Sequence, residues 1–322
     1  MRFPSIFTAV LFAASSALAE CTKGGCTNKN GYIVHDKHVG DIQNRDTLDP
    51  PDLDYEKDVG VTVSGGTLSQ RLVSTWNGKK VVGSRLYIVD EADEKYQLFT
   101  FVGKEFTYTV DMSQIQCGIN AALYTVEMPA AGKTPGGVKY GYGYCDANCV
   151  DGDCCMEFDI QEASNKAIVY TTHSCQSQTS GCDTSGCGYN PYRDSGDKAF
   201  WGTTINVNQP VTIVTQFIGS GSSLTEVKRL CVQGGKTFPP AKSLTDSYCN
   251  ANDYRSLRTM GASMARGHVV VFSLWDSNGM SWMDGGNAGP CTSYNIESLE
   301  SSQPNLKVTW SNVKYGEIDS PY

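Results

Sequence analysis
Nine short runs in this chain of 322 residues concentrate β-branched and aromatic side chains, and Gly, Pro, Asn or Asp punctuates the intervals between them. The plainest is "EFTYTVDM" (105–112). Phe106, Tyr108, Val110 and Met112 fall on one side and Thr107, Thr109 and Asp111 on the other, the period of two that sends successive side chains to opposite faces of a strand. The others are "SRLYIVD" (84–90), "YQLFTFV" (96–102), "AALYTVEM" (121–128), "CMEFDI" (155–160), "VTIVTQFI" (211–218), "EVKRLCV" (226–232), "HVVVFSLW" (268–275) and "LKVTWSNV" (306–313). Only "NDYRSLRTMGASMARG" (252–267) has helical spacing, with Asn252 or Asp253 as its cap and Gly267 as its stop. So many strands beside one helix argue against alternating βαβ units and predict an all-β, antiparallel sandwich. The acidic, Pro-containing stretch "DTLDPPDLDYEKD" (46–58) reads as an exposed loop rather than a linker. With no internal repeat or low-complexity tail, residues 20–322 are expected to form a single domain.

The chain carries 13 cysteines, a number that does not suit a reducing cytosol, and a net charge of −8. The acidic balance offers no footprint for nucleic acid or for an anionic membrane. Residues 1–19 have one Arg, an apolar run from Ile6 to Ala14 and the small-residue ending Ala17-Leu18-Ala19, the pattern of a cleaved secretion signal. This segment resembles the leader of the yeast mating-pheromone precursor, which is widely fused to foreign proteins, so it reads as borrowed. The mature chain would then begin Glu20-Cys21, without the N-terminal His that one kind of copper site needs. No stretch of about 18 apolar residues follows, so no membrane anchor is expected. A secreted, extracellular monomer is the expectation.

The segment "DGDCCMEFDIQEASNKA" (151–167) contains Glu157, Asp159 and Glu162 as E-x-D-x-x-E. Glu157 and Asp159 share a strand face, and crowded acids raise one another's pKa because they resist joint ionisation. One carboxylate then stays ionised while another keeps its proton, the pairing that glycoside hydrolysis requires. Glu162, five residues from Glu157, has the wrong parity for that face on a straight strand. Its participation requires a bulge near Ile160 and Gln161. From the pattern alone, a solvated strand face with scattered acids and a divalent-metal site both stay open. His35 and His38 in "HDKH" have zinc-like spacing but no third ligand nearby, so they read as loop residues and no metal is expected.

Six further segments occur in a fixed order: "GYGYCDANC" (141–149), "CCMEFDIQEAS" (154–164), "TTHSC" (171–175), "CDTSGCGYNPYR" (182–193), "FWG" (200–202) and "VVVFSLWDSNGMSWMDGGNAGPC" (269–291). Together they resemble glycoside hydrolase family seven, the fungal cellobiohydrolases and endo-β-1,4-glucanases, from about Arg85 to Ile318. The resemblance implies a concanavalin-like β-jelly roll of two antiparallel sheets with a glycan cleft. It implies Glu157 as nucleophile, Glu162 as general acid/base, Asp159 hydrogen-bonded in support of the nucleophile, and His173 tuning protonation. It places Asn120, Tyr124, Asp146 and Asn148 around the cleavage subsite, Trp275 and Trp282 as sugar-stacking residues, and Arg193 on the product side. No cofactor is implied; the partner is a polysaccharide.

The resemblance also implies the disulfides Cys21–Cys26, Cys117–Cys291, Cys145–Cys155, Cys149–Cys154, Cys175–Cys182 and Cys187–Cys249, leaving Cys231 as a buried free thiol. The chain departs from the family in four places. Only "VDGD" separates Cys149 from Cys154; Cys175 and Cys182 are too close to carry a tunnel-roofing loop; "GYIVHDKHVGD" (31–41) has no Trp; and Gln161 and Ser164 replace commoner residues. The first three predict an open, short cleft, which suits cleavage within an accessible chain. β-Glucan is the favoured substrate, with chitosan or another polysaccharide as the alternative. A lectin-like binding protein on the same fold is the rival of another class, but it would have lost one of the glutamates.

Overall fold
The computed structural model describes residues 18–29, 32–36, 53–90, 95–134 and 137–322. Two large sheets pack face to face. One has nine strands, with Lys236–Phe238, Ser223–Gln233, Val211–Ser220, Lys104–Asp111, Lys307–Glu317, Leu18–Thr22 and Gly25–Lys29 in spatial order. Thr67–Arg71 adds to Lys307–Glu317, and Val61–Ser64 adds to Thr67–Arg71. The other has eight, ordered Cys187–Tyr189, Ile168–His173, Glu157–Ala163, Ile119–Val126, His268–Asp276, Ser84–Val89 and Tyr32–His35, with Leu98–Phe99 paired to His268–Asp276. Every pairing between these described strands is antiparallel except that of Leu18–Thr22 with Lys307–Glu317.

The period-2 pattern explains the layers. Phe106, Tyr108 and Val110 of the nine-stranded sheet and Leu123, Phe158 and Leu274 of the eight-stranded one belong to a single buried cluster that runs from Leu18 to Val313. Each large apolar side chain buried there contributes about 1.5–3 kcal/mol. The next residues along the eight-stranded sheet's strands point away from that core. Tyr87, Tyr124 and Val271 form a second buried cluster on the outer face, and the acidic residues of strand Glu157–Ala163 lie on that same face.

Three expectations about the elements need correction, and His35, expected in a loop, is buried at the end of strand Tyr32–His35. In "YQLFTFV" only Leu98–Phe99 is strand, because Phe101 already belongs to the turn whose carbonyl accepts from Lys104 N, with Gly103 at φ 77°. The helix spans Leu257–Arg266 and is capped by Ser256, which accepts from Thr259 N; Asp253 is instead occupied by Arg255. Gly267 ends it. It is not alone, since Ile296–Ser302 and several single turns are also helical. Of the acidic stretch 46–58, residues 46–52 lie outside the described residues, and Tyr55–Asp58 is a helical turn capped by Asp54 rather than loop. The leader through Ala17, and His38, also lie outside the described residues; Leu18 and Ala19 are buried in the first described strand.

Candidate active site
Strand Glu157–Ala163 begins with regular alternation. Phe158 faces the core while Glu157 and Asp159 face outward. The register then slips on both sides. Tyr124 pairs with Asp159 and Leu123 with Gln161, so Ile160 is the extra residue of a bulge, and pairing to Ile168–His173 also shifts between Asp159 and Glu162. Ile160 and Gln161 both turn inward. Gln161 is anchored there by Tyr108 Oη, which donates at 3.0 Å, and by its own donation to the Ala121 carbonyl at 3.1 Å. Glu162 thereby returns to the face of Glu157 and Asp159, the bend that its parity demanded.

The three carboxylates line an open cavity of about 860 Å³ together with Asn148, His173, Arg193, Trp275 and Trp282. Asn120, Tyr124 and Asp146 do not line it; they stand behind it. Asn120 Nδ2 donates to Glu162 at 2.9 Å while its Oδ1 accepts from Ala163 N at 3.1 Å, so one amide fixes both the carboxylate and the backbone beside it. Tyr124 is buried, its hydroxyl 2.9 Å from that of Tyr144. Asp146 accepts from Val150 N at 3.1 Å and closes the turn after Cys145. That turn matters because Ala147 N donates to Glu157 at 2.9 Å. Disulfides Cys145–Cys155 and Cys149–Cys154 tie the turn to the entry of the strand, fixing this amide over Glu157.

His173 pairs in register with Glu157, but its Nε2 meets the diagonal neighbour Asp159 at 3.1 Å, while its Nδ1 donates to the Asp183 carbonyl at 2.7 Å. Asp159 therefore makes its hydrogen bond to His173 rather than to Glu157, and it acts on the glutamates through its charge. Gly186 is required for this packing: it sits at φ 64°, and a Cβ there would lie 2.5 Å from the imidazole Cε1.

Burial first, then the charge of Asp159, raises both glutamates. Glu162 is pushed up to about 8, and Glu157 lies well above the usual carboxylate range, with Asp146 adding to its shift and His173 and the Ala147 amide opposing it. Burial alone would lower His173, yet the hydrogen bond and charge of Asp159, with Glu157, carry it up to about 10. At neutral pH the group thus holds an imidazolium and at least one carboxyl proton.

Trp282, 46% exposed, presents a large apolar ring to solvent, and Trp275 is half-buried across the strand pair from Asn120. Asn190 joins the two cleft walls. Its Oδ1 caps the turn carrying Arg193, and its Nδ2 donates to the Met283 and Ala288 carbonyls beside Trp282. Tyr248 and Lys242 also line the cavity, though no sequence motif marks them; the one signal for Tyr248 is the Cys187–Cys249 disulfide, which brings it to the edge strand. The remaining disulfides are Cys21–Cys26, Cys117–Cys291 and Cys175–Cys182, and Cys231 is free and buried.

An antiparallel sandwich with paired acids in an open, aromatic-walled cleft is the architecture of a polysaccharide hydrolase. The sequence profile of Glycosyl hydrolase family 7 matches residues 48–151 and 150–322, and the chain belongs to that family. It is 34% identical to endo-beta-1,4-glucanase celB of Aspergillus oryzae over 357 aligned positions, covering 94% of this chain and 85% of that protein. Among solved structures, a family 7 cellobiohydrolase from Daphnia pulex superposes with a TM-score of 0.86 at 25% identity, over 97% of this chain and 98% of that one. An endoglucanase I complexed with cellobiose gives 0.81 at 29% identity, over 95% and 96%.

Proposed function
We propose that this chain is a secreted, monomeric endo-β-1,4-glucanase that cleaves internal bonds of β-glucan with net retention, residues 1–19 being a borrowed secretion leader and 20–322 one catalytic domain. The observation that carries the reading is the delivery of Glu157 and Glu162 to one cleft by the bulge at Ile160, in surroundings that keep a proton on the group. Glu157 attacks the anomeric carbon while Glu162 protonates the departing glycosidic oxygen. Glu162 then takes a proton from water, which displaces Glu157 and releases the sugar. Asp159 and His173 hold the charge balance, Trp275 and Trp282 stack on sugar rings, and Arg193 binds on the product side, with Asn148 near the cleavage point.

Family membership and the endoglucanase relatives support the reaction class, and the cellobiose held by a structural neighbour supports a glucan ligand. Internal cleavage is favoured by low walls. Only four residues separate Cys149 from Cys154, and Cys175–Ser177 and Ser180–Cys182 form a tight hairpin where a roof would start. No helix among the described residues is long and apolar enough to cross a membrane. The test is digestion of soluble β-1,4- and mixed-linkage glucans, xyloglucan and chitosan. A fast fall in glucan viscosity with mixed oligosaccharide products, whose first-formed anomer is β, is expected. Cellobiose as the sole early product would replace endo with exo action; turnover of chitosan alone would change the substrate; an α-anomer would reject Glu157 as nucleophile.

A further inference from the structure
Beneath the bulge, in the apolar space between the sheets, lies an arginine. Arg229 is 3% exposed, points inward from strand Ser223–Gln233, and has no carboxylate among its described partners. A guanidinium keeps its charge at any working pH, and burying it without an acid is costly. Its contacts show where that cost is offset. Nη2 donates to the carbonyl of Ile160, the extra residue of the bulge, and the guanidinium lies 4.4 Å from the centre of the Tyr170 ring. Nε and Nη1 make no hydrogen bond, so nearly all the polar work of this side chain is spent on one carbonyl.

That carbonyl is the pivot of the site. Without the extra residue the strand would alternate regularly, turning Gln161 toward the cleft and Glu162 into the core. We infer that Arg229 is a positioning residue, selecting the bulged register by clamping the Ile160 carbonyl from the opposite sheet and so holding Glu162 at the scissile bond. Gln161, bonded to Tyr108 and to the Ala121 carbonyl, is the second anchor of the same register. The inference rests on the assignment of Glu162 as acid/base.

The test compares Arg229→Met, Arg229→Lys and Glu162→Ala on two substrates: a cello-oligosaccharide, whose poor leaving group needs a proton, and a dinitrophenyl cellobioside, whose leaving group needs none. Arg229→Met should lower kcat on the oligosaccharide about 10–100-fold with KM little changed, the range expected for a displaced acid. Its kcat/KM on the activated glycoside should stay within about threefold, and azide should restore turnover of the accumulated glycosyl-enzyme. Arg229→Lys, which keeps a cationic donor, should recover most of the loss. Equal losses on both substrates, or failure of both Arg229 variants to fold, would overturn the positioning role in favour of one in stability alone. Absence of leaving-group dependence and azide rescue in Glu162→Ala would instead reject the acid/base assignment itself.

Discussion

Among the described residues, the outer face of the eight-stranded sheet buries two groups of charged residues, and their internal balance differs. At one, Arg85 donates to Asp36 through Nε at 2.9 Å and Nη2 at 2.6 Å, with the Tyr144 ring 3.4 Å from the guanidinium carbon. Among the described residues, one cation meets one anion here, and the carboxylate oxygen that takes both guanidinium contacts also accepts from Tyr87 Oη. At the other, Glu157, Asp159 and Glu162 share His173 as their cation. The imbalance displaces the proton affinities of the glutamates and of the imidazole. Burial is common to both groups; what separates a structural pair from a reactive group is whether the charges cancel.

The largest consequence concerns chemistry. Glu157→Gln removes the attacking oxygen but keeps the acceptor for Ala147 N, so turnover should fall by roughly 10³-fold or more while folding and oligosaccharide binding persist. Activity near the parent's in that variant would sink the assignment. The balanced pair should fail differently. Arg85→Met removes both guanidinium bonds from the fully buried Asp36, and breaking a buried ion pair by removing one partner costs about 3–5 kcal/mol of stability, readable as a large drop in melting temperature at pH 7. Adding Asp36→Asn should recover part of that loss. If it does not, the pair is not what stabilises this end of the sheet.

The reasons these two groups were unequally legible in the sequence are physical. Glu157, Asp159 and Glu162 lie within six residues, so strand parity alone exposed their relation and the need for a bulge at Ile160 and Gln161. The sandwich was legible for the same reason, since alternation is local. Asp36 and Arg85 are 49 residues apart and meet only because Tyr32–His35 pairs with Ser84–Val89. Arg229 sat in a run that read simply as strand, and nothing nearby in the sequence indicates that it reaches across to another sheet. Asn120, Tyr124 and Asp146 were placed in the site by motif; the structure puts them behind it, because their polar groups are taken up by Glu162, Tyr144 and Val150. The helix cap was misplaced for a local reason: Asp253 turns back to Arg255 and leaves Ser256 to start the helix.

The unbalanced group should also show in stability. Glu162 has a folded pKa raised from 4.5 to about 8, so the folded state holds this proton more tightly than the unfolded chain. Its contribution is fully present below about pH 4.5 and is lost as pH rises toward 8, where an ionised carboxylate must be kept buried. Glu162→Gln, with no proton to lose, should therefore melt at a higher temperature than the parent at pH 8 and show no such gain at pH 4. A constant difference across that range would mean that the substitution acts through packing alone.

The smallest expected effect isolates the imidazolium. The alkaline limb of kcat/KM should lie near pH 8, because above it Glu162 loses the proton it gives to the leaving group. His173 lowers the pKa of Glu162 and of Glu157 through its charge, and it stays protonated through this range because its own pKa is about 10. His173→Gln removes that charge while offering an amide to Asp159, so the carboxylates should hold their protons more tightly. The alkaline limb should move upward, by about one pH unit or less. A limb that stays in place would show that His173 only orients Asp159. A downward shift would mean that burial, which opposes the charged form of every member of this group, had been relieved by water entering beside Gly186.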